Sequence, residues 1–388
     1  MCKTMMQKTK STVTLFLAFF TLATAVAQQG GGGGQVPEDT LIRSRGQEKT
    51  GFKPVINHNT FYRWHVGLSY SVVSGDSAEK AYDSKHTVGL NYSITENSLH
   101  PYYRAFFPQA FAGWNVSLTA GYDGVRRMNY FGSGNETKRN PTDQRFNWLR
   151  TENLYGSLGL NKSFQDHHLL GFDLYYDGVR VREDKYRLSA EKTGVIAPEQ
   201  YNRQDFLGSR IIYAYSKLDR RIIPTKGVEF STSAAYTENL QRGGHSFARF
   251  TGDLDVYVPL FNDFFASVST GLATVTGNPD FFQLNTIGGT HTLRGFERFR
   301  FYGKTAFYNQ NELLWLPTVD TKFYQGEFGI FSFVDQGRVW HPGESSDKMH
   351  VGYGGGIILS PLNKITVKVA YGISNDDKRF HLNLKRLF

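Results

Sequence analysis

Residues 365–374 read Ile365-Thr366-Val367-Lys368-Val369-Ala370-Tyr371-Gly372-Ile373-Ser374. Odd positions are large and apolar; even positions are small or polar. Successive side chains of a β-strand point to opposite faces, so this stretch predicts a strand with one greasy side and one wet side. The pattern recurs upstream. Val228, Phe230, Thr232, Ala234 and Tyr236 alternate with Glu229, Ser231, Ser233, Ala235 and Thr237. Leu254, Val256, Val258 and Leu260 alternate with Asp253, Asp255 and Tyr257. Phe264, Ala266, Val268 and Leu272 alternate with Ser267, Ser269 and Gly271.

Alternation alone fits a soluble sandwich as well as a membrane wall, and three further features favour the wall. The strand-like segments run ~10 residues or more, the length a tilted strand needs to cross a bilayer, whereas soluble strands are typically ~5–6. The inward faces are rich in Gly, Ser, Ala and Thr with a few charges, which a wet lumen tolerates and a dry core does not. The connections are short at 261–263 and 361–363, modest at 317–323, and long near 128–147, 186–205 and 278–303. Short turns at one rim against long loops at the other is the outer-membrane arrangement. The expected fold is therefore all-β: a transmembrane antiparallel β-barrel of about sixteen strands with a long lumen loop. The strands are expected near 51–58, 60–75, 83–95, 100–108, 112–127, 148–162, 167–185, 206–219, 227–240, 247–260, 263–277, 304–316, 324–340, 350–360, 364–374 and 379–388. An even count leaves both ends at the periplasmic rim; fourteen strands is the alternative.

The totals agree with a barrel. The 388 residues are 40% hydrophobic with 22 Tyr, 31 Phe, 5 Trp and 40 Gly, and the mean hydropathy is negative. That excludes a bundle of membrane helices, each of which needs ~20 consecutive apolar residues, but not a barrel, in which only every second residue meets lipid. The net charge of +9 reads either as scattered loop charge or as attraction to outer-membrane lipids and lipopolysaccharide. No basic cluster interleaved with aromatics points to nucleic acid.

At the start, Lys3, Lys8 and Lys10 precede Leu15-Phe16-Leu17-Ala18-Phe19-Phe20 and then Ala25-Val26-Ala27. A basic stretch, a short apolar core and an Ala-x-Ala site make a signal peptide over 1–27. Cleavage would remove Cys2, the only cysteine, so no disulfide or thiolate metal site is expected. Residues 28–50, with Gly30 to Gly34, read as a flexible periplasmic lead, and 51–388 as the barrel. The expected location is the bacterial cell outer membrane.

The long segment 278–303 holds Gly288-Gly289-Thr290-His291-Thr292-Leu293-Arg294-Gly295-Phe296, followed by Asn311-Glu312-Leu313 and by Gly329-Ile330-Phe331-Ser332-Phe333-Val334-Asp335-Gln336-Gly337. Asp335 shares parity with Gly329, Phe331, Phe333 and Gly337; Phe328, Ile330 and Val334 take the other. An unpaired Asp on lipid is costly, so the Asp335 face should be the lumen. A loop arginine folded inward could pair there with Asp335, and with Glu312 as a second partner, through bidentate guanidinium–carboxylate geometry. On the physics alone, Arg294 and Asp335 are equally a structural latch or a transport switch.

These motifs resemble the BamA/TamA superfamily, also called bacterial surface antigens. Leu293-Arg294-Gly295-Phe296 resembles the tip of their lumen loop, Phe333-Val334-Asp335-Gln336-Gly337 their Phe-x-Asp-x-Gly strand, and Asn311-Glu312-Leu313 their Asn-x-Glu-Leu strand. Asp219-Arg220-Arg221 through Pro224-Thr225-Lys226-Gly227 is similar to the turn before the second half of those barrels. The resemblance covers about 206–388 best. It implies sixteen strands, Arg294 anchored on Asp335, a seam between first and last strands able to open for client chains, and a role in outer-membrane protein assembly or translocation. The Gly132-Ser133-Gly134-Asn135-Glu136-Thr137 stretch also resembles barrels that follow a calcineurin-like phosphoesterase. The lead is too short for a periplasmic POTRA domain, so a separate periplasmic partner is expected alongside client outer-membrane or secreted proteins. The terminal Phe388 resembles the insertion signal of such barrels, and is equally a girdle aromatic.

No HExxH, phosphate-binding glycine loop, Gly-x-Ser-x-Gly elbow or cysteine metal spacing occurs, so no catalytic residue, cofactor or metal is assigned. His167-His168 at a periplasmic turn is a weak metal candidate that is not assigned, His291 beside the tip reads as a loop hydrogen-bonder, and Gly354-Gly355-Gly356 as close backbone packing or a kink in the wall. Two rivals remain: a passive outer-membrane channel with a lumen-plugging loop, and a lipid-hydrolysing barrel, which needs a Ser–His pair that the sequence does not single out.

Overall fold

The structure, a computed structural model, describes residues 49–386 apart from 60, 62, 76–81, 140–142, 242–244, 323 and 362–364. The expected signal peptide, nearly all of the expected lead, and Phe388 lie outside the described residues. Within them run nineteen strands: β1 (Gly51–Asn59), β2 (Arg63–Ser74), β3 (Ser84–Ser93), β4 (Ser98–Phe111), β5 (Trp114–Asn129), β6 (Trp148–Phe164), β7 (His168–Val181), β8 (Gln204–Leu218), β9 (Gly227–Asn239), β10 (Phe247–Phe261), β11 (Phe264–Gly277), β12 (Asn285–Ile287), β13 (Phe301–Gly303), β14 (Thr305–Trp315), β15 (Thr318–Asp320), β16 (Gln325–Trp340), β17 (His350–Pro361), β18 (Ile365–Ser374) and β19 (Lys378–Arg386). The helical content is slight, and no helix among the described residues is long and apolar enough to cross a membrane.

Three strands, β12, β13 and β15, have three residues each. The other sixteen form the wall as one antiparallel meander, each paired to the next. All sixteen lie where the alternation places them, within a few residues. Among the described residues β1 pairs only with β2 and β19 only with β18. Connection lengths separate the rims less cleanly than expected: β3–β4 and β18–β19 turn in a few residues at the long-loop rim, while 219–226 is longer at the other. The reason is that 219–226 has a packing role of its own, described below.

Side-chain exposure settles which face meets lipid. On β16, Val334 is 53% exposed while its neighbour Asp335 is fully buried, and the alternation holds along the strand. Leu254, Val258, Val268, Leu272, Ile357 and Tyr371 are likewise exposed on the outside. In a soluble protein so much exposed apolar surface would drive association; here it is the lipid-facing band. Outward apolar groups need hydrocarbon, and the backbone polar groups are satisfied strand to strand, which is what lets a β-wall sit in a membrane.

The core lies inside and at one rim. At the long-loop rim Phe61, Tyr130, Leu149, Val181, Phe247, Phe281, Phe299 and Tyr302 form an apolar cluster with the short helix α1 (Leu188–Lys192) packed in through Ala190. Nearer the other rim, Ile223, Leu314, Leu316, Phe331, Phe333, Ile358 and Ala370 make a second cluster inside the wall.

Candidate functional site

The 278–303 segment folds back into the lumen. Its base is a small hairpin, β12 against β13, which the sequence did not reveal. Its tip is closed by backbone bonds between Gly289 and Leu293 in both directions, 3.0 and 3.1 Å, with the Thr292 hydroxyl accepting from the Gly288 amide at 2.9 Å. Gly288, Gly289 and Gly295 all hold positive φ, a region that side chains with a Cβ disfavour. At Gly295 a Cβ would also stand 2.9 Å from the backbone of Ile373.

Arg294 lies at the centre, almost fully buried. Its Nε donates to Asp335 Oδ2 at 2.7 Å, its Nη2 to Asp335 Oδ1 at 2.6 Å, and its amide to Oδ2 at 2.9 Å. Nη1 donates to Glu312. Gln310 Nε2 adds a bond to Asp335 at 3.2 Å. Lys368 Nζ donates to both Glu312 oxygens at 2.7 and 2.6 Å. Two cations thus face two carboxylates, a neutral group of four. The Phe333 ring lies 3.8 Å from the Arg294 guanidinium carbon and the Phe331 ring 4.4 Å from Lys368 Nζ, supplying cation–π attraction in a desolvated setting.

The wall is shaped to receive the tip. A Cβ on Gly352 would stand 1.8 Å from the Arg294 carbonyl oxygen, and one on Gly372 2.6 Å from the Gly295 amide. Gly354 and Gly356 face the rings of Phe333 and Phe331 in the same way, at 2.9 and 2.7 Å. Gly337 leaves room for Ile287 of β12. Phe296 is fully buried, edge-on to Phe301 and His350.

The tip also reaches the last strand. The Gly295 amide donates to His381 Nε2 at 3.2 Å, so Nδ1 of the neutral ring carries the proton and donates to Thr290 Oγ1 at 3.1 Å. Ser374 Oγ donates to the Gly295 carbonyl at 2.8 Å. The tip therefore braces β14, β16, β17, β18 and β19 together. Beyond it, Arg300 pairs with Asp376 at 2.8 and 3.0 Å and donates to Thr137 at 2.8 and 2.7 Å. This ties the loop to the 130–147 connection and to the β18–β19 turn. Asn135 of the glycine-bracketed stretch pairs in both directions with the backbone of Val339, at 2.7 and 3.0 Å.

At the opposite rim Arg220 pairs with Glu327, and Ile222 and Ile223 pack into the second cluster. The turn is shaped by Asp219, which accepts from the Thr225 hydroxyl at 2.5 Å and from the amides of Thr225 and Lys226 at 3.0 and 3.1 Å. Partial burial alone would raise the Asp219 carboxyl; those bonds, with Arg220 nearby, outweigh it and hold it below the ordinary value.

Of the residues singled out in the sequence, Arg294, Gly295, Phe296, Glu312, Phe333, Asp335 and Gly337 all meet at this site. The sequence did not single out Gln310, His381, Gly352 or Gly372, nor assign Lys368 a partner, although Lys368 stands on the wet parity of β18. His168 faces outward, its ring bonded to Tyr213 at 2.8 Å and stacked on Phe164, and no metal-binding cluster occurs among the described residues. The lumen face also carries a chain of Ser98, His100 and Asp123, with Oγ to Nε2 at 2.9 Å and Nδ1 to Oδ1 at 3.3 Å. All three are buried.

Comparison with known proteins adds three findings. The sequence profile of the Omp85 superfamily domain matches residues 77–385. A search of curated proteins finds no significant match. Among solved structures, BamA from Haemophilus ducreyi lacking POTRA domains 1–3 is similar with a TM-score of 0.63 at 15% identity, over 86% of this chain and 70% of that one. CdiB from Acinetobacter baumannii gives 0.52 at 12%, over 87% and 57%, and CdiB from Escherichia coli gives 0.54 at 12%, over 86% and 60%. This chain thus spans less than two thirds of either CdiB chain, and at such identities the likeness is one of fold.

Proposed function

The chain belongs to the Omp85 superfamily, and from that premise we propose that it is a bacterial outer-membrane barrel taking part in outer-membrane protein assembly or protein translocation. One observation carries the reading: the lumen-loop tip is buried against the last five wall strands and hydrogen-bonded as far as His381 on β19, while β1 and β19 each keep a single partner among the described residues. The loop is then a latch. Arg294, Gly295 and Phe296 hold it on Asp335, Glu312, Phe333 and Gly337, and the final strands stay in register while the loop is seated. Release of the tip would loosen β19 at the seam, where a client outer-membrane or secreted chain would engage. A separate periplasmic partner would deliver such clients.

Depletion in the native cell tests this. Other outer-membrane barrels should fall in abundance and be restored by the wild-type gene but not by Arg294→Ala. Normal levels of every other barrel after depletion would remove the assembly reading. Single-channel recording tests the passive-channel alternative: the wild type should conduct little, because the loop is seated. A large steady conductance unaffected by Arg294→Ala would replace the proposal with a pore.

A further inference from the structure

On the outer face of β6 and β7, near the long-loop rim, carboxylates and guanidiniums are layered. Glu152 on β6 lies opposite Arg180 on β7. Arg180 Nη2 stands 2.5 Å from Glu152, Arg182 Nη1 3.5 Å from it, and the Tyr122 hydroxyl donates to it at 3.3 Å. One strand further, Arg203 Nε donates to Asp205 at 2.8 Å, and the Tyr176 hydroxyl bonds the same carboxylate. The Arg203 side chain lies over Gly178, its Cδ 3.0 Å from where a Cβ would stand, which places it beside Arg180 on the wall.

The layering has a direction. The arginine side chains are 48%, 42% and 55% exposed, whereas Glu152 and Asp205 are 15% and 22%. The acids lie beneath and fix the guanidiniums; the outer surface that a ligand meets is cationic. Three cations over two carboxylates leave one net positive charge. Toward the midplane the same face continues as an exposed apolar strip of Leu154, Leu158, Phe172, Leu174, Leu207 and Ile211. Arg180 is the last outward residue of its strand, which ends at Val181, at the rim, where an outward arginine costs little and can reach head groups.

We propose that Arg180, Arg182 and Arg203 form a cradle for the phosphate of a phosphorylated glycolipid, whose acyl chains lie along the apolar strip. Guanidinium forks match phosphate oxygens bidentately, and the strip below requires chains attached to the anion, which separates a lipid from free phosphate. The proposal rests on the long-loop rim facing the glycolipid-bearing outer leaflet, as the outer-membrane reading implies.

The test uses the mature protein folded in zwitterionic detergent, with folding checked first by heat-modifiable gel mobility. Native mass spectrometry then compares bisphosphorylated hexa-acyl lipid A, the same lipid without phosphates, and inorganic pyrophosphate. The intact lipid should bind about tenfold tighter than the dephosphorylated form. The triple variant Arg180→Gln, Arg182→Gln, Arg203→Gln should lose that preference, while Lys348→Gln, an exposed cation off the patch, should keep it. Equal binding by wild type and triple variant would overturn the cradle. Pyrophosphate competing as well as the lipid would overturn its assignment to a lipid. A failure to fold in detergent would instead strike the membrane-barrel reading, and the cradle with it.

Discussion

Asp335 satisfies a guanidinium and a backbone amide of the same residue, so it fixes both the charge and the path of the loop at Arg294. Removing one partner of a well-buried pair leaves the other charge without compensation, at a cost of ~3–5 kcal/mol. Asp335→Ala should therefore lower the denaturant midpoint of the detergent-folded barrel, and Arg294→Ala combined with it should add much less than a second loss of that size. Additive losses would show that the two do not act as a pair. Gly352→Ala probes the same seat without touching a charge. Its Cβ would overlap the Arg294 carbonyl, so it should mimic Arg294→Ala in protease sensitivity of the loop. Ser98 offers a contrasting case. Buried beside His100, it should remain unlabelled by a small fluorophosphonate in the folded barrel, and stoichiometric labelling read by intact mass would favour the hydrolase rival.

At the scale of elements, the wall and the loop are separable. β11 pairs directly with β14 over eleven residues of each strand, and none of those ladder bonds uses the loop. Replacing 279–303 by a short Gly-Ser linker should leave heat-modifiable mobility intact and, on the proposed latch reading, raise conductance. An unfolded product would show that the loop is part of the folding core. The 219–226 turn carries a pH dependence. The Asp219 carboxyl is held below its ordinary value in the fold, so its contribution is present above the unfolded-state value and is lost as pH falls through the depressed one. Amide-exchange protection of Thr225 and Lys226 should stay flat from neutral pH to about 4 and fall only below it; loss between pH 5 and 7 would point to another group.

At the scale of the whole molecule, the greasy face is outside. The polypeptide from residue 28 onward should fold only with detergent or lipid, and a monodisperse folded species in plain buffer, by circular dichroism and light scattering, would contradict the architecture. This scale also explains how much could be read in advance. Period-two alternation is a local property, and hydrocarbon on one side imposes it strand after strand, so the wall strands and the parity of Asp335 were legible from residues such as 365–374. Arg294, Glu312 and Asp335 were legible as a group because a charge on a lumen parity needs a counter-charge.

The chain's own pattern thus determined the wall, which side of each strand is wet, and the arginine-bearing loop with its candidate carboxylates, while the choice of sixteen strands over fourteen came with the structure. Only the three-dimensional arrangement decided who meets whom: Lys368 on Glu312, His381 under Gly295, Arg300 on Asp376, Arg220 across on Glu327, and glycines of β17 and β18 hollowed for the tip. The physical reason is one of range. Alternation is set between adjacent residues by the pleat of a strand, whereas these contacts join positions 56 to 107 residues apart whose proximity exists only once the sheet has curled round its lumen.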